Sequence, residues 1–281
     1  MSESLLTCEE ALIRAASKIG GDSPRLDAEL LLSQVTGWTR TRFRAWPEQI
    51  LDARQQAGFD RLVAKRAEGH PLAHLLGEQG FWSLPLMVNA STLIPRPDTE
   101  CLVEQALALA LPEDARVLDL GTGTGAIALA LASERPNWRI QACDAQPGAA
   151  ELARANAQKL ALPVEVMVSH WFSELAPARY DLLISNPPYI ARNDPHLQQG
   201  DVRYEPHSAL VAGEDGLDDI RHIVDRAPDW LAPGGWLMIE HGFDQSEAAL
   251  ALFAAAGFQA VQTHQDYGGR DRLTMGRART A

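Results

Sequence analysis

The sequence predicts an α/β protein, a mostly parallel, doubly wound sheet with a small all-helical domain ahead of it. Three observations carry that expectation. From Ala115 onward, short apolar runs alternate with stretches of helical length, and strands separated by helices need crossover connections, hence a parallel sheet. The first 75 residues carry helix signals only. Between the two, the sequence turns glycine- and aromatic-rich and alternates around Phe81-Trp82-Ser83-Leu84 and Leu86-Met87-Val88, a hairpin pattern. The expected domains are therefore residues 1–75, a hairpin linker over 76–92, and the sheet domain over 93–281.

Taken in order, Thr7-Cys8-Glu9-Glu10 is a capping box ahead of an apolar stripe at Leu12, Ile13 and Ala16, stopped by Gly20-Gly21. Ser23-Pro24 opens a second helix through Leu26, Leu30, Leu31 and Val35 to Gly37. A third is expected from Asp52 to about Glu68. The segment Trp38 to Trp46, with Arg40, Arg42, Arg44 and Phe43 interleaved, reads as a solvated loop whose aromatics dock on the helices. In the larger domain, strands are expected at 116–120, 139–144, 164–168, 180–185 and 236–241, and helices at 126–134, 147–160, 217–230 and 244–256. The runs 258–265 and 272–277, joined through Asp266-Tyr267-Gly268-Gly269, read as a hairpin whose terminal strand runs antiparallel to the rest.

Composition sets bounds on function. The chain has 281 residues, 46% hydrophobic and 22% charged, enough for a real core. No run approaches the ~18 apolar residues that a membrane span needs. The stretch Met1 to Glu10 has three acids and no base, unlike a secretory or transit signal. Cys8, Cys101 and Cys143 stand in no metal-ligand spacing and suggest a reducing compartment, so a cytoplasmic location is expected. The net charge of −12 is unevenly placed: residues 1–75 hold ten bases and ten acids, and the whole excess lies beyond them. A duplex binder gathers Lys and Arg on one face to neutralise phosphates, so this bias counts against a nucleic-acid substrate.

Val117-Leu118-Asp119-Leu120 runs into Gly121-Thr122-Gly123-Thr124-Gly125 and then a helix. Glycines there allow positive φ and let a ligand approach the backbone at a helix N-terminus. About twenty residues on, Asp144 closes the next strand, where an acid accepts hydrogen bonds from ribose hydroxyls. Both features suit NAD and S-adenosylmethionine alike, since Ala126 completes the dinucleotide pattern. Asp119 favours the second, being a poor neighbour for a diphosphate and a good one for an ammonium group.

Asn186-Pro187-Pro188-Tyr189 follows the fourth strand at its carboxyl end, where open α/β sheets place ligands. A planar amide or aniline-like nitrogen is a weak nucleophile because its lone pair is delocalised. Asn186 supplies a carbonyl to accept one N–H and an amino group to donate to the substrate carbonyl. The Pro187 carbonyl is free to accept the second N–H, and Pro188 stiffens the turn. Tyr189 offers a flat face to the planar group. No general base is evident, and none is needed, because a methylated amide nitrogen loses its proton readily. Orientation would carry the rate. A rigid turn with Tyr189 packed into a loop is the plain alternative reading of these four residues. Hydride transfer has no use for them.

These motifs resemble the bacterial glutamine-N5 methyltransferases that modify peptide chain release factors. The resemblance spans nearly the whole chain. It includes Arg25-Leu26-Asp27-Ala28-Glu29, Pro71-Leu72-Ala73-His74-Leu75, Phe81 to Leu86, Leu93-Ile94-Pro95-Arg96-Pro97-Asp98-Thr99-Glu100, Asp201 to Pro206, and Leu231-Ala232-Pro233-Gly234-Gly235. It implies a Rossmann-like fold and S-adenosyl-L-methionine as cofactor, leaving as S-adenosyl-L-homocysteine. By the same resemblance Gly121 to Gly125 hold its methionine part, Asp144 its ribose, and Trp171 lies against its adenine, unless Trp171 is simply a core residue. Asn186 to Tyr189 would grip the glutamine of a Gly-Gly-Gln loop, with the N-terminal helices contacting the release factor elsewhere. The stretch from Gly213 to Leu217 resembles a loop near the active site, and equally a helix cap built on Asp215. Arg96 and Glu205 read as functional residues or as a structural ion pair.

The expected activity is methyl transfer from S-adenosylmethionine to the side-chain nitrogen of that glutamine. The same chemistry on a ribosomal-protein glutamine or on adenine N6 of nucleic acid is the nearest rival. A non-catalytic module that binds S-adenosylmethionine is a rival of another class, and the intact Asn186–Tyr189 motif speaks against it.

Overall fold

The computed structural model describes residues 5–280. Residues 1–4, with the Glu3 of the acidic start, and residue 281 lie outside the described residues. The chain forms two compact units. The first takes the chain up to Glu78 together with Gln199–Tyr204, and the second takes Gln79–Gln198 and everything from Glu205 on.

The first unit is helical. α1 (Cys8–Ile19) starts with the expected capping box: Thr7 Oγ1 accepts from Glu10 N at 3.3 Å, and Thr7 N donates to Glu10 Oε2 at 2.9 Å. Its buried face is Cys8, Ala11, Leu12 and Ala15, so Ile13, expected in the apolar stripe, points outward at 58% exposure. α2 (Pro24–Thr36) has proline in its first turn, although Ser23 makes no side-chain cap. The segment expected to be a loop holds a short helix, α3 (Arg40–Ala45), because Thr39 Oγ1 caps Arg42 N and Phe43 turns into the core. Trp38 and Trp46 flank the Arg42 guanidinium at 4.5 and 5.9 Å. α4 (Ala53–Ala67) begins at a second capping box made by Asp52 and Gln55. A one-turn helix, α5 (Leu72–Leu76), was not anticipated. Glu29 is buried between α2 and α3, held by Arg25 at 3.2 Å and Arg40 at 2.7 Å. Gln199–Tyr204 is fastened here through Tyr204 Oη, which donates to the Glu68 carbonyl at 2.7 Å.

The expected hairpin, β1 (Glu78–Phe81) and β2 (Leu84–Met87), turns at Trp82 with φ +57°, and from Gln79 on it belongs to the second unit. A 3-10 turn (Pro97–Thr99) leads into α6 (Glu100–Ala108), a helix the sequence pattern did not reveal. Then follow β3 (Arg116–Leu120), α7 (Ala126–Glu134), β4 (Arg139–Asp144), α8 (Pro147–Leu160), β5 (Val164–Val168) and β6 (Tyr180–Ser185), as the alternation predicts. α9 (Asp218–Arg226), β7 (Leu231–Glu240), α10 (Ser246–Ala255), β8 (Gln259–Gln265) and β9 (Asp271–Arg277) complete it.

The seven-stranded sheet runs in the order β5-β4-β3-β6-β7-β9-β8. All pairs through β7 are parallel, while β9 is antiparallel to both β7 and β8. The last strand of the chain is thus the antiparallel one, but it lies inside the sheet, and β8 takes the edge. Side chains alternate between faces along each strand. Val117, Ile140, Leu182 and Met238 pack under α6, α7 and α8. Leu118, Leu120, Leu183, Leu237 and Ile239 pack under α9 and α10. This double cover leaves the carboxyl ends of β3, β4 and β6 open along one rim.

Candidate active site

The loop after β3 is shaped by its glycines. Gly121, Gly123 and Gly125 have φ of +70°, +55° and +85°, a region that costs any residue with a Cβ. Gly121 N and Thr122 N both donate to the Cys143 carbonyl at 2.9 Å, which ties the loop to the end of β4. Gly125 then caps α7 in a left-handed conformation.

Asp119 braces this loop from below. Its Oδ2 accepts the Thr122 hydroxyl at 2.6 Å and Ala128 N at 3.3 Å. It has no exposed surface, and burial pushes its carboxyl up to about 7. It does not line the cleft, so the expected contact with an ammonium group becomes a supporting role under the loop.

Asp144 does line the cleft. Its Oδ2 accepts from Gly123 N at 3.0 Å and its Oδ1 from Gln146 N at 2.9 Å. Burial raises its carboxyl above the usual range, and those two N–H groups draw it part of the way back. Trp171 has φ +52° and is only 8% exposed. It belongs to the core cluster beneath α9 and also walls the cleft. A Cβ built on Gly121 would meet its ring at 3.1 and 3.3 Å, so glycine is what lets the indole cover the loop.

Asn186 begins where β6 ends, after Ser185 Oγ is anchored to the Leu120 carbonyl at 2.7 Å. Asn186 and Pro188 line the cleft with Gly121, Thr122, Gly123, Thr124, Asp144 and Trp171. Pro187 is buried behind them. The Tyr189 ring leans on the core cluster and its hydroxyl donates to Glu240 Oε1 at 3.3 Å. It is therefore not among the lining side chains, where a face-on contact with a planar substrate was expected. The Gly213–Leu217 stretch serves as a brace and a cap together. Gln245 Nε2 donates to the carbonyls of Tyr189 at 3.0 Å and Gly216 at 3.4 Å, while Asp215 Oδ1 accepts from Leu217 N at 3.1 Å. Arg96 and Glu205 pair at 2.5 Å, and Glu205 Oε1 also accepts from Ile94 N at 2.8 Å.

Several lining residues went unread in the sequence: Ser91, Thr92, Thr99, His170 and Asp219. Thr99 lies inside the Leu93–Glu100 motif, which was noticed as a pattern without a role for this position. Asp219 sits beside Trp171 in the first turn of α9, its carboxyl raised by burial, and nothing in its sequence context marks it.

The lining chemistry fits S-adenosylmethionine. Two carboxyl groups, Asp144 and Asp219, face the cleft, and its one guanidinium, Arg96, is already paired with Glu205. Such a balance suits a sulfonium and repels a pyrophosphate. Gly123 leaves open backbone, since a Cβ there meets nothing nearer than Thr92 at 3.8 Å. The indole of Trp171 provides a wall for a flat base.

Fold and cleft together define a methyltransferase of the doubly wound, Rossmann-like class. Residues 98–200 match the family described as Methyltransferase small domain, and residues 10–77 match the PrmC N-terminal domain. A methyltransferase of Pyrococcus furiosus, 16% identical, superposes with a TM-score of 0.54 over 70% of this chain and 90% of that one, a likeness of fold. Nearer in sequence are two proteins named release factor glutamine methyltransferase. That of Pseudomonas aeruginosa is 56% identical over 91% of this chain and 94% of its own, and that of Vibrio cholerae 52% over 98% of each. The chain belongs to the release factor glutamine methyltransferase family.

Proposed function

We propose that this protein transfers a methyl group from S-adenosylmethionine to the side-chain amide nitrogen of the glutamine in the Gly-Gly-Gln loop of peptide chain release factors. The observation that carries the reading is the placement of Asn186 beside the Gly121–Gly125 loop at one rim of the sheet, in a chain of this family. When bound, S-adenosylmethionine supplies an electrophilic methyl and departs as S-adenosylhomocysteine.

The chain's own residues bind and orient. Gly121 to Gly125 and Asp144 would hold the methionine and ribose parts, and Trp171 the adenine. Asn186 Oδ1 would accept one N–H of the target amide and the Pro187 carbonyl the other, drawing the nitrogen lone pair out of conjugation. Pro188 would wall the target side chain. Tyr189 would hold the turn in place from behind rather than stack on the substrate. The proton released after transfer needs no dedicated base.

The helical domain of residues 1–75, followed by the 76–92 hairpin and the 93–281 catalytic domain, is assigned to contacts with the release factor away from the target loop. No helix of the described residues is long and apolar enough to cross a membrane, and a cytoplasmic site of action beside the translation machinery accords with that. The acidic balance beyond residue 75 supports a protein acceptor over a nucleic acid.

The test is to incubate the protein with labelled S-adenosylmethionine and, separately, purified release factor, ribosomal proteins and DNA, then locate the label by peptide mass. Label on the Gly-Gly-Gln peptide supports the reading. Its absence there, with label on another acceptor, overturns it.

A further inference from the structure

One asparagine of α8 has no exposed surface. Asn156 sits on the buried face of that helix among Ala149, Ala150, Ala153 and Ala157. A carboxamide is costly to bury unless its polar atoms are all bonded, and here they are. Asn156 Oδ1 accepts from Met87 N at 2.7 Å, and Nδ2 donates to the Met87 carbonyl at 3.0 Å. The side chain thus pairs with the last residue of β2 as a neighbouring strand would. The remaining hydrogen of Nδ2 goes to the Thr124 carbonyl at 2.9 Å. One side chain thereby fastens the hairpin to the glycine loop. Only a carboxamide of this length has the two donors and the acceptor that the bonds require.

Both ends of this tie belong to the cleft. Thr124 lines it, and so do Phe81 of β1 and Ser91, Thr92 and Leu93 just past β2. The segment after the hairpin lies in close contact with what Asn156 holds. A Cβ on Gly123 would stand 3.8 Å from Thr92 Cβ, and one on Gly148, in the first turn of α8, 3.5 Å from Ser91 Cβ. A hairpin that reads in the sequence as a linker is therefore one wall of the cleft.

We propose that Asn156 is a positioning residue for S-adenosylmethionine. It holds the hairpin wall and the Thr124 end of the glycine loop at one fixed spacing, and so sets the width of the cleft around the methionine part. This inference rests on the proposed placement of the cofactor against Gly121 to Gly125. It makes the hairpin a part of the cofactor site, ordered together with the loop. Opening the hairpin should therefore release the cofactor, and bound cofactor should hold the hairpin closed.

The experiment has two arms. The first follows amide hydrogen exchange in the wild-type protein with and without S-adenosylmethionine. At about ten times its Kd, the cofactor should slow exchange of the segment 84–92 by about tenfold, while β8 at the sheet edge changes by less than about twofold. A glycine loop that gains protection while 84–92 gains none would overturn the proposal. So would equal slowing in β8, which marks a general stabilisation. The second arm measures steady-state kinetics and Tm for Asn156→Ala, Asn156→Asp and Phe253→Leu. Asn156→Asp keeps an acceptor for Met87 N and loses both donors. Both Asn156 variants should raise KM for S-adenosylmethionine by at least about tenfold, with kcat at saturating cofactor within about threefold. Phe253 is buried in α10 and does not line the cleft, so its variant should lose Tm and keep KM within about twofold. Unchanged KM in the Asn156 variants contradicts the role. A rise in KM that follows Tm alike in all three variants shows a merely structural one. Should the Asn156 variants fail to fold, the exchange arm decides alone. If wild type binds no S-adenosylmethionine, the reading of the cleft falls first and the role of Asn156 with it.

Discussion

Asp119 lies wholly buried under the glycine loop, its Oδ2 shared between the Thr122 hydroxyl and Ala128 N. Its folded value of about 7 stands above the ordinary 3.8, and burial is the main cause. A group raised on folding favours the folded state below its unfolded value and loses that contribution as pH climbs through the folded one. Asp119→Asn, neutral throughout, should therefore gain in Tm relative to wild type between about pH 4 and 7 and hold that gain above. Thermal unfolding at pH 5 and pH 8 checks this; a difference that does not change with pH would sink it. At Asn186 the expectation concerns rate. Asn186→Ala should cost ~1–3 kcal/mol or more of transition-state stabilisation while cofactor affinity falls less. Activity within about threefold of wild type, measured by methyl transfer, would be incompatible with its role. Of the positions read from sequence, Gly121 to Thr124, Asp144, Trp171 and Asn186 do meet in one cleft, while Gly125 caps α7 behind it. Thr99 and Glu240 were not legible because their partners, Asn186 and Tyr189, lie 87 and 51 positions away in the chain, and a hydroxyl inside a proline-rich stretch looks like turn chemistry.

The elements were legible where local chemistry and tertiary packing agree. α7 and α8 occupy 126–134 and 147–160 as read, since a glycine cap and Pro147 mark their starts. α3 and α6 were missed for opposite reasons. α3 is short and full of arginine and aromatic residues, so its Thr39 cap was read as loop polarity. α6 follows a proline-rich turn and has no side-chain cap. The brace behind Tyr189 is an element-scale feature with its own test. Gly216 has φ +76°, and a Cβ there would sit 2.3 Å from the Tyr189 carbonyl oxygen. Backbone cannot yield as a flexible side chain does, so Gly216→Ala should displace the turn from Asn186 to Tyr189. Methyl transfer is expected to drop by at least about tenfold with a Tm loss of only a few degrees. Gly77→Ala, in the open at another positive-φ position, controls for backbone strain alone. Equal activity in the two variants would contradict the brace.

For the whole molecule, the two compact units should be separable in their unfolding. All three cysteines are buried, Cys8 in the helical unit and Cys101 and Cys143 in the sheet unit. Burial holds the latter two thiols up at about 12, which makes them unreactive until exposed. In a denaturant series read by thiol labelling and mass, Cys101 and Cys143 should share one midpoint. Cys8 should react at a lower one, because a smaller core buries less of its surface. Coincident labelling of all three would mean a single cooperative unit. The order of the sheet adds a constraint in time. β9 is made last, yet it lies between β7 and β8 and hydrogen-bonds to both. While the chain is still being synthesised, β7 has an open edge, and β8, already outside the ribosome, has no strand to join. The carboxyl end of β7 carries Glu240, and β9 carries the Arg272 that acts on it. A nascent chain can thus build its glycine loop early, whereas the carboxyl end of β7 gains its second neighbour, and Glu240 the nearby Arg272, only when β9 has been added.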